Sequence, residues 1–294
     1  LWDWRKTIGE LVVENYYEQL DKVLKKYGMK RYSESQENGR VYMADGMEVK
    51  RHADIPMGAM WIPKGDFGTS QKIGEADIRE SASVAHLYGQ KYVAAESFTT
   101  IGMNNAYAFG PKEYRPTADL EFASGVNRIV IHESALQAVD TEPGITMSAI
   151  GTWFNRHITW ADLAQTWTDY LARTSYMMQQ GRNVADIAWY YGENNNVTGL
   201  VMSDTPAIPK GYNFDYINSD ALIHVLDAKG NRLVSNITGN SYRILAIDRN
   251  ATRMSMGVLR KLDELSKAGI TICGDKPTIK VGMEGTEKDF RQLV

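Results

Sequence analysis

Three side chains fall where a parallel α/β sheet would place its chemistry. Glu96 closes the apolar run Lys91-Tyr92-Val93-Ala94-Ala95-Glu96, and His132-Glu133 close Asn127-Arg128-Ile129-Val130-Ile131. Both runs read as strands apolar on both faces, the pattern of a parallel sheet covered by helices. In such sheets the working groups sit at the carboxyl ends of the strands and in the loops that follow. Carboxylates and an imidazole placed there are the groups that carry general acid–base chemistry. Two more carboxylates, Glu34 and Glu37, lie in the polar stretch Ser33-Glu34-Ser35-Gln36-Glu37-Asn38-Gly39, after a short segment at 29–32. Trp61 ends another short apolar strand, 53–61. Each has a plain alternative: a solvated strand-end or loop carboxylate, a structural histidine, a groove-wall or core tryptophan. His52, beside Arg51 and Asp54, reads as part of a loop salt network.

The elements that must position these groups follow from periodicity. Apolar residues at three- and four-residue steps (Ile8, Leu11, Val12, Tyr16, Leu20, Val23, Leu24, Tyr27) predict an amphipathic helix over about 5–27, stopped by Gly28. Helices are also expected over 75–88, 116–124, 159–180 and 252–268. On the fourth, Trp160, Leu163, Trp167, Leu171 and Met178 lie broadly on one side, which explains them as core. Further strands are expected at 184–191, 216–217, 243–248 and 270–273, with a hairpin turn at Lys229-Gly230-Asn231. This second α/β unit has a nucleotide-binding-like shape but no GxGxxG or GxxxxGK[ST], so the usual phosphate cradle is missing.

Composition narrows the function classes. The chain has 294 residues, 43% hydrophobic and 23% charged, at a formal net charge of −3, so it has ample material for a buried core. It carries no Lys/Arg block for nucleic acid and no apolar run near the roughly 20 residues of a membrane span. Cys273 is the single cysteine and the five histidines are dispersed, which argues against a disulfide or a structural zinc. The sequons at Asn196, Asn236 and Asn250 are short patterns with a high chance rate. The first region offers three or four strands, whereas a (β/α)8 barrel takes about 250 residues. Either the sheet is open, or further strands lie upstream of Leu1; the chain begins at Leu1 inside a helical pattern and reads as a piece of something longer.

Several stretches resemble glycoside hydrolase family 106, the α-L-rhamnosidases: WRKTIGELVVENYY (4–17), ADIPMGAMW (53–61), SASVAHLYGQKYVAAESFT (81–99), GVNRIVIHES (125–134) and YLARTSYMMQQGRNVADIAWYYGE (170–193). The resemblance runs along most of the chain in the same order. It implies the C-terminal part of a (β/α)8 TIM-type barrel over 1–155, a connecting helix over 156–182, and a Rossmann-like, glutamine-amidotransferase-like α/β domain over 183–294. It also implies that the remaining strands belong to the parent chain upstream of Leu1. The activity implied is inverting hydrolysis of rhamnosides or rhamnose-containing polysaccharides, with calcium at the site and a periplasmic or secreted location. Such hydrolysis needs one protonated and one ionised carboxyl, separated by roughly 6.5–9.5 Å when a water must fit between. Glu96, in the motif AESFT, is assigned as general base; Glu34, Glu37, Trp61, His132 and Glu133 are assigned to substrate contact, and the general acid is left open between Glu34, Glu37, Glu133 and a residue upstream of Leu1. Ala59 departs from the family pattern, which often has an acid there, and this opens the alternative of another sugar specificity. A non-catalytic carbohydrate-binding or assembly module is the remaining alternative.

Overall fold

The computed structural model describes residues 1–35, 41–62, 69–102, 108–147, 149–193, 195–203 and 206–294. It opens with α1 (Trp2–Val12) and α2 (Gln19–Lys26), joined without interruption by a π turn at Val13–Glu18. The π turn takes up one extra residue, so Leu11 and Tyr16, five positions apart, stay on one side. That side is not the buried one, contrary to the sequence expectation: Leu11, Tyr16, Leu20, Val23 and Tyr27 are exposed, while Gly9, Val13 and Asp21 are buried. The reason is backbone proximity. A Cβ on Gly9 would stand 2.8 Å from the Met43 carbonyl oxygen, so the helix docks through its smallest residue rather than its apolar stripe.

Four strands then form one parallel sheet in chain order: β1 (Tyr32–Ser33), β2 (Ile55–Met60), β3 (Ala94–Ser97) and β4 (Arg128–Ile131). Between them run α3 (Gly46–Arg51), α4 (Thr69–Tyr88) and α5 (Pro111–Ser124). Consecutive parallel strands linked by helices are the repeating unit of a βα barrel. The helix expected at 75–88 starts six residues earlier, and that expected at 116–124 five earlier, because Pro111 is well placed in a first helical turn. A single 3-10 turn leads into α6 (Ala164–Met178). Of its expected core residues Trp167 and Leu171 are buried, but Leu163 and Met178, at the two ends, are exposed.

The second parallel sheet contains β5 (Ile187–Tyr190), followed by α7 (Val197–Ser203), and β6 (Phe214–Ile217). The antiparallel ribbon β7 (Leu226–Lys229), β8 (Arg232–Ser235) and β9 (Ser241–Tyr242) intervenes, turning at Gly230-Asn231 as the sequence indicates. The sheet resumes with β10 (Ile244–Ile247); β11 (Arg253–Ser255) and α8 (Met256–Lys267) lead to β12 (Thr271–Cys273). The chain ends with β13 (Ile279–Val281), paired to β11, and α9 (Glu287–Leu293). The sheet order β12-β10-β5-β6 is that of a doubly wound fold, whose ligand crevice lies beyond β5 and β10. Here the crevice walls are tied together: Trp189 Nε1 donates to Asp248 Oδ2 at 2.9 Å, and the Ser255 amide donates to Glu193.

α4 stands between the two sheets. Ile78, Ala82 and Ala85 pack on the first with Met60, Ala95, Val93 and Val126. Ala76, Val84 and Leu87 join the main core of the second. No described helix is long and apolar enough to cross a membrane.

Candidate active site

Strand alternation decides which side chains face away from the helices. Gly58 lies against α4, where a Cβ would stand 3.0 Å from Asp77, and Ser97 Oγ lies 3.0 Å from Glu121 Oε2 on α5. Ile129 and Ile131 also pack toward the helices. The intervening residues therefore face the other way, and in register these are Ala59, Glu96 and Val130. The same alternation carries Trp61 beyond β2, His132 beyond β4 and Glu34 beyond β1 to this face. Ala59 puts only a methyl beside Glu96.

Beyond Ser97 the alternation breaks. Phe98 has φ +71°, in the left-handed region that a bulky residue rarely adopts. Its ring is fully buried, stacked on Tyr114 at 5.2 Å and packed against Trp167, and this packing holds the turn. In an extended strand residues 96 and 99 would point to opposite faces; the Phe98 turn brings Thr99 back to Glu96. The buried Thr99 hydroxyl donates to Glu96 Oε1 and lies 3.0 Å from His132 Nδ1. His132 Nδ1 is 3.6 Å from Glu96 Oε1, and the Glu96 and His132 side chains are 23% and 31% exposed. A carboxylate, a hydroxyl and an imidazole are thus held together at a strand end with partial access to solvent.

The other sequence candidates fall differently. Glu133 turns into the loop that follows, where its Oε1 accepts from the Met147 amide at 2.9 Å and from Thr146 Oγ1 at 3.2 Å. Glu34 is half-buried just past β1, and its carbonyl accepts from Ser33 Oγ. From strand spacing and rise its Cα stands about 12 Å from that of Glu96. Trp61 is 37% exposed and its carbonyl accepts from Gln71 Nε2. Glu37 lies outside the described residues. His52 lies within electrostatic reach of Arg51 and Glu18, while the close pairs are made by its neighbours: Arg51 with Glu48 at 2.7 Å and Asp220 at 3.9 Å, and Asp54 with the Arg31 amide. Thr99 is the residue that sequence reading passed over, although it stands in the AESFT motif.

Behind the site lie two buried arrangements of ionisable groups. Lys50 is fully buried and bonds Asp77 at 2.6 Å and Glu80 at 2.8 Å, while the other Asp77 oxygen accepts from the Ala59 amide at 2.9 Å. This network pins β2 next to Glu96. Glu121, also fully buried, has its carboxyl pushed well above the usual range by desolvation, which favours its neutral form. Ser97 Oγ is in reach of both Glu121 Oε2 and the Ala95 carbonyl, which ties the buried acid to the backbone of β3.

Calcium takes six to eight oxygen ligands. The Glu96 cluster offers one carboxylate and one hydroxyl, and an imidazole nitrogen fills its third side. No group of three or more His, Cys, Asp or Glu that could hold a metal ion occurs among the described residues. These residues do not make a calcium cage by themselves, and no step below runs through a metal.

Comparison with known proteins adds a second line of argument. The model of the family described as alpha-L-rhamnosidase, glycoside hydrolase 106, matches residues 1–294. A Formosa agariphila protein with a provisional beta-glucuronidase name is 32% identical over 284 residues, 97% of this chain and 23% of that protein. The solved rhamnosidase from Novosphingobium sp. PP1Y is 39% identical, with a TM-score of 0.93 over 99% of this chain and 28% of its own. The GH42 beta-galactosidase Gan42B from G. stearothermophilus shares the fold alone, at 8% identity and TM-score 0.54, over 92% of this chain and 40% of its own. The chain thus spans about a quarter of the first two proteins it matches.

Proposed function

The chain belongs to the alpha-L-rhamnosidase family of glycoside hydrolases, and on that premise we propose that it forms part of the active site of an inverting α-L-rhamnosidase with Glu96 as general base. The observation that carries the reading is a partly exposed strand-end carboxylate, oriented by Thr99 and His132 on the face away from the helices. In the reaction, Glu96 takes a proton from water as the water oxygen attacks the anomeric carbon. The bond from that carbon to the leaving oxygen breaks, and a second carboxyl protonates the leaving group. We assign that acid to a part of the enzyme outside this chain. Trp61, His132 and Glu34 share the Glu96 face and serve as sugar contacts, with the indole offering an apolar surface to a pyranose. The barrel portion is taken as 1–155 and the following non-catalytic domain as 183–294, acting in the periplasm or outside the cell.

The test is hydrolysis of an aryl α-L-rhamnoside by the full-length parent enzyme and its Glu96→Gln variant. Loss of activity by about 10²–10⁴-fold is expected for removal of a general base. Undiminished turnover would remove Glu96 from the reaction. The name of the Formosa relative favours one second reading, a β-glucuronidase. Turnover of an aryl β-D-glucuronide in place of the rhamnoside would establish it.

A further inference from the structure

The contacts around Thr99 carry more than its proximity to the base. A hydroxyl has one proton. The close Thr99 Oγ1 to Glu96 Oε1 contact needs a proton between the two oxygens, and an ionised Glu96 has none to give. Thr99 therefore donates there, and at its 3.0 Å contact with His132 Nδ1 its oxygen is left only as an acceptor. We infer that Thr99 is a positioning residue that fixes His132 as its Nδ1-protonated tautomer, leaving Nε2 as a lone-pair acceptor for a sugar hydroxyl. The inference rests on the general-base reading of Glu96, because a protonated Glu96 would reverse both hydrogen bonds.

Three observations support the assignment. Thr99 is fully buried, so no bulk water competes for its hydroxyl. The Thr99 carbonyl accepts from the Ile62 amide and the His132 amide donates to the Ser97 carbonyl, so the backbones carrying both groups are tied to the sheet. Nε2 has no hydrogen-bond partner among the described residues, and the His132 side chain is 31% exposed. The imidazole is thus anchored at one nitrogen and open at the other. Recognition follows: this position selects a ligand that presents a hydroxyl donor.

Two measurements test this, one independent of activity. Nitrogen NMR of the histidine-labelled parent enzyme, with the His132 signals assigned by their loss in a His132→Gln variant, reports the tautomer directly. The neutral ring is expected to carry its proton on Nδ1. A ring protonated on Nε2 alone overturns the inference, even if every Thr99 variant fails to fold. In the parent enzyme, Thr99→Val should lower kcat/KM by about 10–100-fold, the worth of a hydrogen bond to a charged group, while Thr99→Ser, which keeps the hydroxyl, stays within about threefold. Loss in Glu96→Gln with wild-type behaviour in Thr99→Val sinks this inference and leaves the general-base reading standing. Full activity in Glu96→Gln sinks the general-base reading instead.

Discussion

At the scale of single residues, the site is held from behind by charges buried far from it in sequence. Burial alone would push the Lys50 ammonium down, but Asp77 and Glu80 outweigh it and raise its pKa, so Lys50 stays charged. Replacing Lys50 by Met leaves two buried carboxylates facing each other, with Asp77 still tied to the Ala59 amide. The expected cost is about 3–5 kcal/mol, the range for removing one partner of a buried ion pair. Urea denaturation at pH 7 measures it. A loss below 1 kcal/mol would show that the pair does not hold β2 in place. None of this was legible in the sequence, because Lys50 lies about thirty residues from its partners and looks like any surface lysine. Glu96 was legible, since it ends an apolar run. Glu133 ends a similar run, yet its carboxylate is taken up by the loop at 146–147, a contact that no spacing rule announces. Thr99 was hidden because the left-handed turn at Phe98 cancels the strand alternation by which faces are read.

Elements were more readable than their environments. Apolar runs located the strands of both parallel sheets, since a strand buried on both faces needs such a run whatever covers it. The short helix α3 lacks periodicity and escaped notice, although it connects the two sheets. Its N-cap Asp45 accepts from the Tyr191 hydroxyl at 2.5 Å and from Asn218 at 3.0 Å, both at the carboxyl edge of the second sheet. Asn218 also donates to Glu48 at 2.9 Å. Burial, with Asp45 and Asp220 nearby, pushes the Glu48 carboxyl up to about 7, against the opposing pull of Arg51. The folded chain thus keeps a proton that the unfolded chain releases above about pH 4.5. Stability should therefore fall as pH rises from about 4.5 to 7 and level off beyond, by on the order of 3 kcal/mol from this group. Asp45, also raised by burial, acts in the same direction. Chemical denaturation at pH 5 and pH 8 should show the fall in the wild type and a smaller one in Glu48→Gln. Equal slopes in the two proteins would exclude Glu48 as its source.

On the scale of the whole molecule, α4 makes the two sheets depend on each other. In the sequence it reads only as a helix over 75–88, with apolar residues interleaved with charges such as Asp77, Arg79 and Glu80. In the structure those charges are spent internally: Asp77 and Glu80 on Lys50, and Arg79 on Glu75 and Asn213. This frees both sides of the helix for packing, one on each sheet. Leu87 is fully buried in the core of the second sheet, while Ala85, two residues earlier, packs beside Val93 at the start of β3. A Leu87→Ala cavity should cost about 2–5 kcal/mol. If α4 couples the sheets, the loss will not stay in the second one. Hydrogen exchange read by mass spectrometry should show peptides covering β3 and β5 losing protection by similar factors, roughly 30-fold or more, because both open through the same displacement of α4. Loss confined to β5 and its neighbours would mean that each sheet opens independently, and that the second sheet contributes nothing to holding Glu96 at its strand end.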